Sequence, residues 1–241
     1  MSLLTHPVAI WIRGVLRGAG LTRPLQLLIA GKSYEAAVDS ALLGALRSGD
    51  VIWDVGANVG LYTAKMAALT GPAGRVFAFE PSPTNLERLR TVADAHANVS
   101  VMACGLSSRS GTLQLVQGDD DLGATSRLAG ADGAQTEGAV FTVDLRTGDE
   151  VIRSGNSAIP NVVKIDVEGH ELRVLEGMRE TLRERRLRSI IVEVHFGLLA
   201  AGGESSAPKA IEAMLSEAGF RLRWIDSSHL LGVRPATASA P

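Results

Sequence analysis

The segment Asp54-Val55-Gly56-Ala57-Asn58-Val59-Gly60 sets a carboxylate, an amide and two glycines within seven positions. It leaves the short apolar run Val51–Val55, so it reads as a strand passing through a tight turn into a helix. Gly56 and Gly60 let the backbone approach a ligand without a Cβ in the way. The free N–H groups of a helix start favour an electron-rich partner. Gly56, Ala57, Asn58 and Gly60 are therefore candidate cofactor-binding residues. Glu80 follows Gly60 by twenty positions and ends a second apolar run. A carboxylate there can accept both hydroxyl protons of a ribose. Two cofactors share this geometry, S-adenosylmethionine and NAD. The dinucleotide fingerprint has a second glycine where Asn58 stands, and wider spacing. Asp54 would repel a diphosphate and suits an ammonium group. Both departures favour S-adenosylmethionine. No G-K-[ST] follows the turn, which excludes a P-loop.

A second cluster lies in Lys164-Ile165-Asp166-Val167-Glu168-Gly169-His170-Glu171. Strand alternation puts Lys164, Asp166 and Glu168 on one side while the strand lasts. Four ionisable groups so close in sequence cannot all be buried unpaired, so they belong at an open edge. Glu171 reads as an acidic residue complementing a helix start. Glu193 and His195 end the next apolar run and share one face. Asp166, Glu168, His170, Glu193 and His195 are thus expected to form one polar cluster beside the cofactor. Histidine has the unperturbed pKa of a general base, which makes Asp166, His170, Glu193 and His195 the catalytic candidates. Carboxylates with imidazole also suit a divalent ion such as Mg²⁺ or Mn²⁺, on Asp166, Glu193 and His195. His6, His96 and His229 lack such neighbours, and no role is expected of them.

The elements that must position these groups alternate regularly. Helices are predicted over 34–47, 58–69, 83–95, 171–186 and 208–218, and strands over 51–55, 75–79, 99–103, 162–167 and 189–195. The pair 220–225 and 229–233 closes the chain, and 107–118 reads as a hairpin excursion. The stretch 118–138 is rich in Gly and Asp and reads as a long surface loop, of a kind that tends to be functional. The β-α-β rhythm predicts an α/β fold, a mostly parallel sheet with helices on both faces. Residues 1–48 are expected to form an N-terminal helical extension, 49–234 the main domain and 235–241 a flexible tail.

The chain has 241 residues, enough for one large domain, and a formal net charge of -2. A near-neutral balance gives no electrostatic footprint for nucleic acid. Cys104 is the single cysteine, so a disulfide framework or Cys-based zinc site is excluded, and a cytoplasmic setting is expected. Arg13 and Arg17 interrupt the apolar N-terminus, which argues against stable membrane insertion; packing on the domain or on a second copy in a homo-oligomer is expected instead.

The residues W-D-V-G-A-N-V-G-L-Y (53–62), F-A-F-E-P-S-P (77–83) and V-V-K-I-D-V-E-G-H-E-L-R-V-L-E-G-M (162–178) resemble the FkbM family of S-adenosylmethionine-dependent methyltransferases. The resemblance spans about residues 50–195, and the third motif is the specific one. It implies a Rossmann-like class I methyltransferase, a seven-stranded mostly parallel sheet with a C-terminal antiparallel hairpin. It also implies O-methylation of a hydroxyl on a sugar or secondary metabolite, that is, a small-molecule or oligosaccharide acceptor. By position, Asp54, Gly56, Asn58 and Gly60 would hold the methionine end, Glu80 the ribose and Ser82 the adenosine side. Cys104 and Gly105 would meet the adenine, and Asp166 would sit beside the transferred methyl. Two departures are His170, where relatives often carry a small residue, and Arg146-Thr147-Gly148-Asp149, where a Leu-Asp pair is commoner. The rival readings are an NAD-dependent oxidoreductase and a non-catalytic S-adenosylmethionine-binding module.

Overall fold

In the computed structural model, which describes residues 31–116, 127–128 and 140–235, strand alternation builds the centre. Strand β1 (Val51–Val55) sends Trp53 and Val55 to one face of the sheet and Ile52 to the other. It follows helix α1 (Gly31–Gly44). Then come α2 (Leu61–Thr70), β2 (Arg75–Phe79), α3 (Pro83–Ala95), β3 (Val99–Met102), β4 (Gly105–Leu106) and β5 (Gly111–Val116). Next are β6 (Arg127–Leu128), β7 (Val140–Arg146), α4 (Gly148–Arg153), β8 (Val162–Ile165) and α5 (Glu171–Glu176). A 3₁₀ turn at Thr181–Arg183, β9 (Ser189–Glu193), α6 (Phe196–Ala201), α7 (Ala207–Glu217), β10 (Arg221–Trp224) and β11 (His229–Val233) complete the order.

Seven strands form one sheet in the order β10-β11-β9-β8-β1-β2-β3. Strands β3, β2, β1, β8 and β9 run parallel, and β11 runs antiparallel to β9 and to β10. This is the Rossmann-like class I methyltransferase sheet with its closing hairpin. The chain winds outward from β1 through β2 to β3, then returns to the other side of β1 at β8. That reversal opens a crevice at the carboxyl ends of β1 and β8, the usual ligand position in such sheets. The two faces are sealed by separate apolar layers, one around Trp53, Phe79, Ile165 and Val192, the other around Ile52, Met66, Leu89 and Ile191. A strand buried on both faces reads as a continuous apolar run, which is why β1, β8 and β9 are legible in sequence.

Several boundaries differ from the periodicity. Helix α2 begins at Leu61 rather than at 58, because Asn58 (φ 52°) and Gly60 (φ 88°) take left-handed backbone and extend the turn. The helix expected over 171–186 stops at Glu176. A Cβ on Gly177 would lie 2.0 Å from the Ser107 carbonyl, and Asp149 draws the Glu180 and Thr181 N–H groups into a separate turn. The hairpin expected within 107–118 is also corrected. Strand β5 pairs instead with β7, from Gly111↔Leu145 to Val116↔Val140, in a second sheet ordered β4-β7-β5-β6. Most of the stretch 118–138, expected as a loop, lies outside the described residues; its Arg127–Leu128 is strand, paired with β5. The N-terminal extension is described only from Gly31 and the tail only at its first residue.

Candidate active site

The β1–α2 turn is built from backbone. Gly56 and Ala57 donate their N–H groups to the Phe79 carbonyl at 3.0 Å each, and Asp166 donates its own to Val55 at 3.0 Å. These bonds lock the tips of β2 and β8 to β1. A Cβ on Gly56 would lie 1.8 Å from the Asp166 carbonyl oxygen, so this glycine serves the packing of the two strand tips. The sequence expectation had a ligand in that space. Gly60 likewise backs onto α3, where a Cβ would meet Leu89 and Val92 at 2.9 and 3.0 Å. Both glycines also hold positive φ, which a side chain would strain.

Glu80 sits where expected, at the tip of β2 and nearly buried. Its carboxylate accepts from Asn58 N–H and Ser82 N–H, each at 2.8 Å. Burial raises its pKa, against the pull of these hydrogen bonds. The Asn58 Oδ1 and Ser82 Oγ atoms beside it are buried with no hydrogen-bond partner among the described residues. Unsatisfied buried polar groups cost stability, so this edge has unused capacity for a ligand's hydroxyl and amino groups. Those residues fit an adenosine-bearing cofactor. Cys104 and Gly105 lie further along the same side. The Cys104 side chain packs into the apolar core, and burial pushes its thiol up to about 11. Gly105 is strand β4, packed against Leu145 and Pro81.

Asp54 departs from its expected place. It is 0 % exposed and registers directly opposite Lys164 on β8. Thr63 Oγ1 donates to its Oδ2 at 2.6 Å, and Lys164 Nζ lies 3.4 Å from its Oδ1. The same ammonium lies 3.3 Å from Asp166. Burial alone would lower the pKa of Lys164; Asp166 and Asp54 outweigh it and raise it. Asp54 is thus sealed beneath the crevice with its charge already matched by Lys164, rather than presented to a ligand's ammonium group.

The β8–β9 side is built from side chains. Strand β8 ends at Ile165, and Glu168 (φ 51°) and Gly169 (φ 93°) turn the chain sharply before α5. His195, at the start of α6, reaches into this turn. Its Nε2 lies 3.3 Å from Glu168 and 3.8 Å from Asp166. Its Nδ1 donates to Glu171 Oε1 at 2.6 Å. Glu171 is 0 % exposed, far from the solvated helix-start acid its position suggests. Burial would lower the pKa of His195, but the Glu171 hydrogen bond and the charges of Glu168, Glu171 and Glu193 raise it to about 9. Burial raises that of Glu168 to about 7; His195 opposes, and Asp166, Glu193 and Glu171 reinforce. At neutral pH His195 therefore carries its proton, and Glu168 sits near its midpoint.

Two expected members have partners outside this group. His170 meets Ser107 Oγ through Nε2 at 2.9 Å, and burial lowers its pKa. Glu193 lies 3.3 Å from His229 Nε2, and His229 Nδ1 is 2.9 Å from Asp226. His229, of which nothing was expected, is raised to about 9; burial opposes this, while Asp226 and Glu193 drive it. The donor atoms that converge within 4.8 Å of one another belong to Asp166, Glu168 and His195, so Glu168 takes the place expected of Glu193. The signal for Glu168 and Glu171 was present in the acidic run, but their partners depend on the left-handed turn at 168–169.

The seven-stranded, mostly parallel sheet that reverses at β1 and closes with an antiparallel hairpin is the class I methyltransferase architecture. The chain matches the family model described as the Methyltransferase FkbM domain over residues 54–222. It belongs to that family. It is 38% identical over 178 residues to a hexuronic acid methyltransferase of Haloferax volcanii, covering 73% of this chain and 66% of that protein. It is 33% identical over 177 residues to a 31-O-demethyl-FK506 methyltransferase of Streptomyces tacrolimicus, covering 62% and 67%. A solved FkbM methyltransferase from Methylobacillus flagellatus shares the fold at a TM-score of 0.52 and 21% identity, covering 79% of this chain and 45% of that one. The chain thus spans about two thirds of the curated relatives' length and under half of the solved one. Among the described residues, no helix is long and apolar enough to cross a membrane.

Proposed function

We propose that the protein is an S-adenosylmethionine-dependent O-methyltransferase acting on a hydroxyl of a sugar, glycan or secondary metabolite. The observation that carries this reading is the juxtaposition at the sheet's reversal: Glu80 and its unsatisfied neighbours on one side, Asp166, Glu168 and His195 on the other. When bound, S-adenosylmethionine supplies a methyl carbon activated by its sulfonium. Glu80 would hold the ribose hydroxyls, with Asn58 and Ser82 offering their free oxygens. The β8 tip would align the acceptor, since an in-line displacement rewards positioning above all. The acceptor oxygen would take that methyl carbon, with the carbon–sulfur electron pair left on the thioether. The hydroxyl proton passes to Glu168, whose pKa near 7 suits a general base at neutral pH. His195, protonated beside it, stabilises the Glu168 carboxylate before the transfer. The histidine-base role expected of His195 and His170 is thus recast, because one already holds a proton and the other faces Ser107.

The relative named as a hexuronic acid methyltransferase supports a sugar acceptor. The buried lone Cys104 is compatible with a cytoplasmic setting. A second reading has a divalent ion, Mg²⁺ or Mn²⁺, held by Asp166, Glu168 and His195, whose donor atoms already converge. It would acidify the hydroxyl directly. Enzyme incubated with trideuteromethyl-labelled S-adenosylmethionine and hexuronic-acid oligosaccharides should add one labelled methyl by mass spectrometry. Absence of transfer to these and to hydroxylated metabolites would refute the reading. Loss of turnover in millimolar EDTA, restored by Mn²⁺, would select the metal version over the Glu168 base.

A further inference from the structure

We infer that Glu171 is a positioning residue that fixes the orientation of His195 in the methyl-transfer site; the inference rests on the proposed reading of that site. An acidic residue in the first turn of a helix ordinarily lies in solvent and complements the dipole. Glu171 does neither. It is 0 % exposed, its Oε1 accepts from Gly169 N–H at 2.9 Å and from His195 Nδ1 at 2.6 Å, and its Oε2 has no hydrogen-bond partner among the described residues. A buried carboxylate with an unsatisfied oxygen is costly. What it secures is a link between the β8–α5 turn and the β9–α6 turn, across 24 positions of sequence.

The link decides which nitrogen faces the crevice. A carboxylate can only accept, so Nδ1 must carry the hydrogen, and Nε2 is left 3.3 Å from Glu168 and 3.8 Å from Asp166. The turn that delivers Glu171 is itself constrained: Gly169 holds φ 93°, and a Cβ there would meet Leu198 at 2.9 Å. Leu198 belongs to the same helix that His195 starts. The backbone thus packs the two turns together, and Glu171 sets the ring within them. Glu171 is fully buried behind the ring and acts through the imidazole.

The test reads the ring and the reaction separately. In ¹⁵N-histidine-labelled protein without acceptor or cofactor, Glu171→Gln should shift the His195 ring-nitrogen resonances away from the Nδ1–H···carboxylate pattern, with Glu171→Asp intermediate. Turnover should fall about 100-fold in Glu171→Gln, the scale of a misplaced catalytic group, with KM for S-adenosylmethionine within twofold of wild type. In a His195→Ala background the same substitution should cost nothing further. Unmoved ring resonances in both Glu171 variants would overturn the inference. So would losses that multiply in the double variant. Should Glu171→Gln fail to fold, Glu171→Asp carries the spectroscopic arm. If no methyl transfer is found at all, the functional reading fails while the resonances still decide the role of Glu171.

Discussion

The two halves of the crevice are made of different material. On the β1–β2 side, backbone does the work: N–H groups of Asn58 and Ser82 on Glu80, N–H groups of Gly56 and Ala57 on the Phe79 carbonyl, and glycines packed against a strand tip and a helix. On the β8–β9 side, ionised side chains face one another, and Glu168 and His195 shift each other's protonation. A backbone cradle is rigid and tolerates neutral changes at its rim. A side-chain cluster can store and move a proton, and it depends on every member. Under the proposed reading, the division would serve a cofactor held still and an acceptor deprotonated.

That contrast makes ordered predictions. Glu168→Gln should lower turnover at saturating acceptor by about 10²–10⁴-fold, the usual contribution of a positioned base, while calorimetry shows unchanged cofactor affinity. In the wild type, a plot of kcat/KM against pH should be bell-shaped. Its acid limb should fall near 7, where Glu168 becomes protonated, and its alkaline limb near 9, where His195 loses its proton. The variant should lack the acid limb. Lys164→Met should destabilise the fold by about 3–5 kcal/mol in urea titrations, since Asp54 would be left buried without its counter-ion. An unchanged midpoint would show that Lys164 belongs to the reactive side rather than to the frame.

The asymmetry also explains what the sequence discloses. The turn at 54–60 and Glu80 are legible because glycine spacing and strand-end position are local facts. Their packing is not: that Gly56 meets Asp166, or that Asp54 pairs with Lys164, follows from the β1–β8 register, 110 positions apart. On the other side the acidic run is conspicuous, yet which members meet depends on Glu168 taking a left-handed conformation unusual outside glycine. Hence Glu193 is read as a ligand of the cluster although its carboxylate pairs with His229, and Glu171 is read as a helix-start acid although it is buried against His195. The helix over 171–186 fails for the same reason. Its apolar periodicity is real, but Gly177 must approach the Ser107 carbonyl, a long-range demand invisible to local spacing.

Two smaller effects follow. Glu80→Gln should weaken S-adenosylmethionine binding about tenfold, the value of a hydrogen bond to a charged group, and leave turnover at saturating cofactor near wild type. His229→Gln should lose up to about 3 kcal/mol of stability. The sign follows from a folded pKa near 9 against an ordinary 6.5. The contribution is complete below pH 6.5 and lost as pH rises through 9. Wild type and variant should therefore converge in thermal melts above pH 9, and a constant gap across that range would assign the loss to packing instead.

The central claim is that the tips of β1 and β2 hold S-adenosylmethionine while those of β8 and β9 do the proton chemistry. Calorimetric titration of wild type, Glu80→Gln and Glu168→Gln with S-adenosylmethionine, and separately with NAD, tests it most directly. Saturable heat from S-adenosylmethionine at one site, weakened in the Glu80 variant, retained in the Glu168 variant and absent with NAD, is the expected result. Heat with NAD alone, or affinity for S-adenosylmethionine indifferent to Glu80, would contradict it.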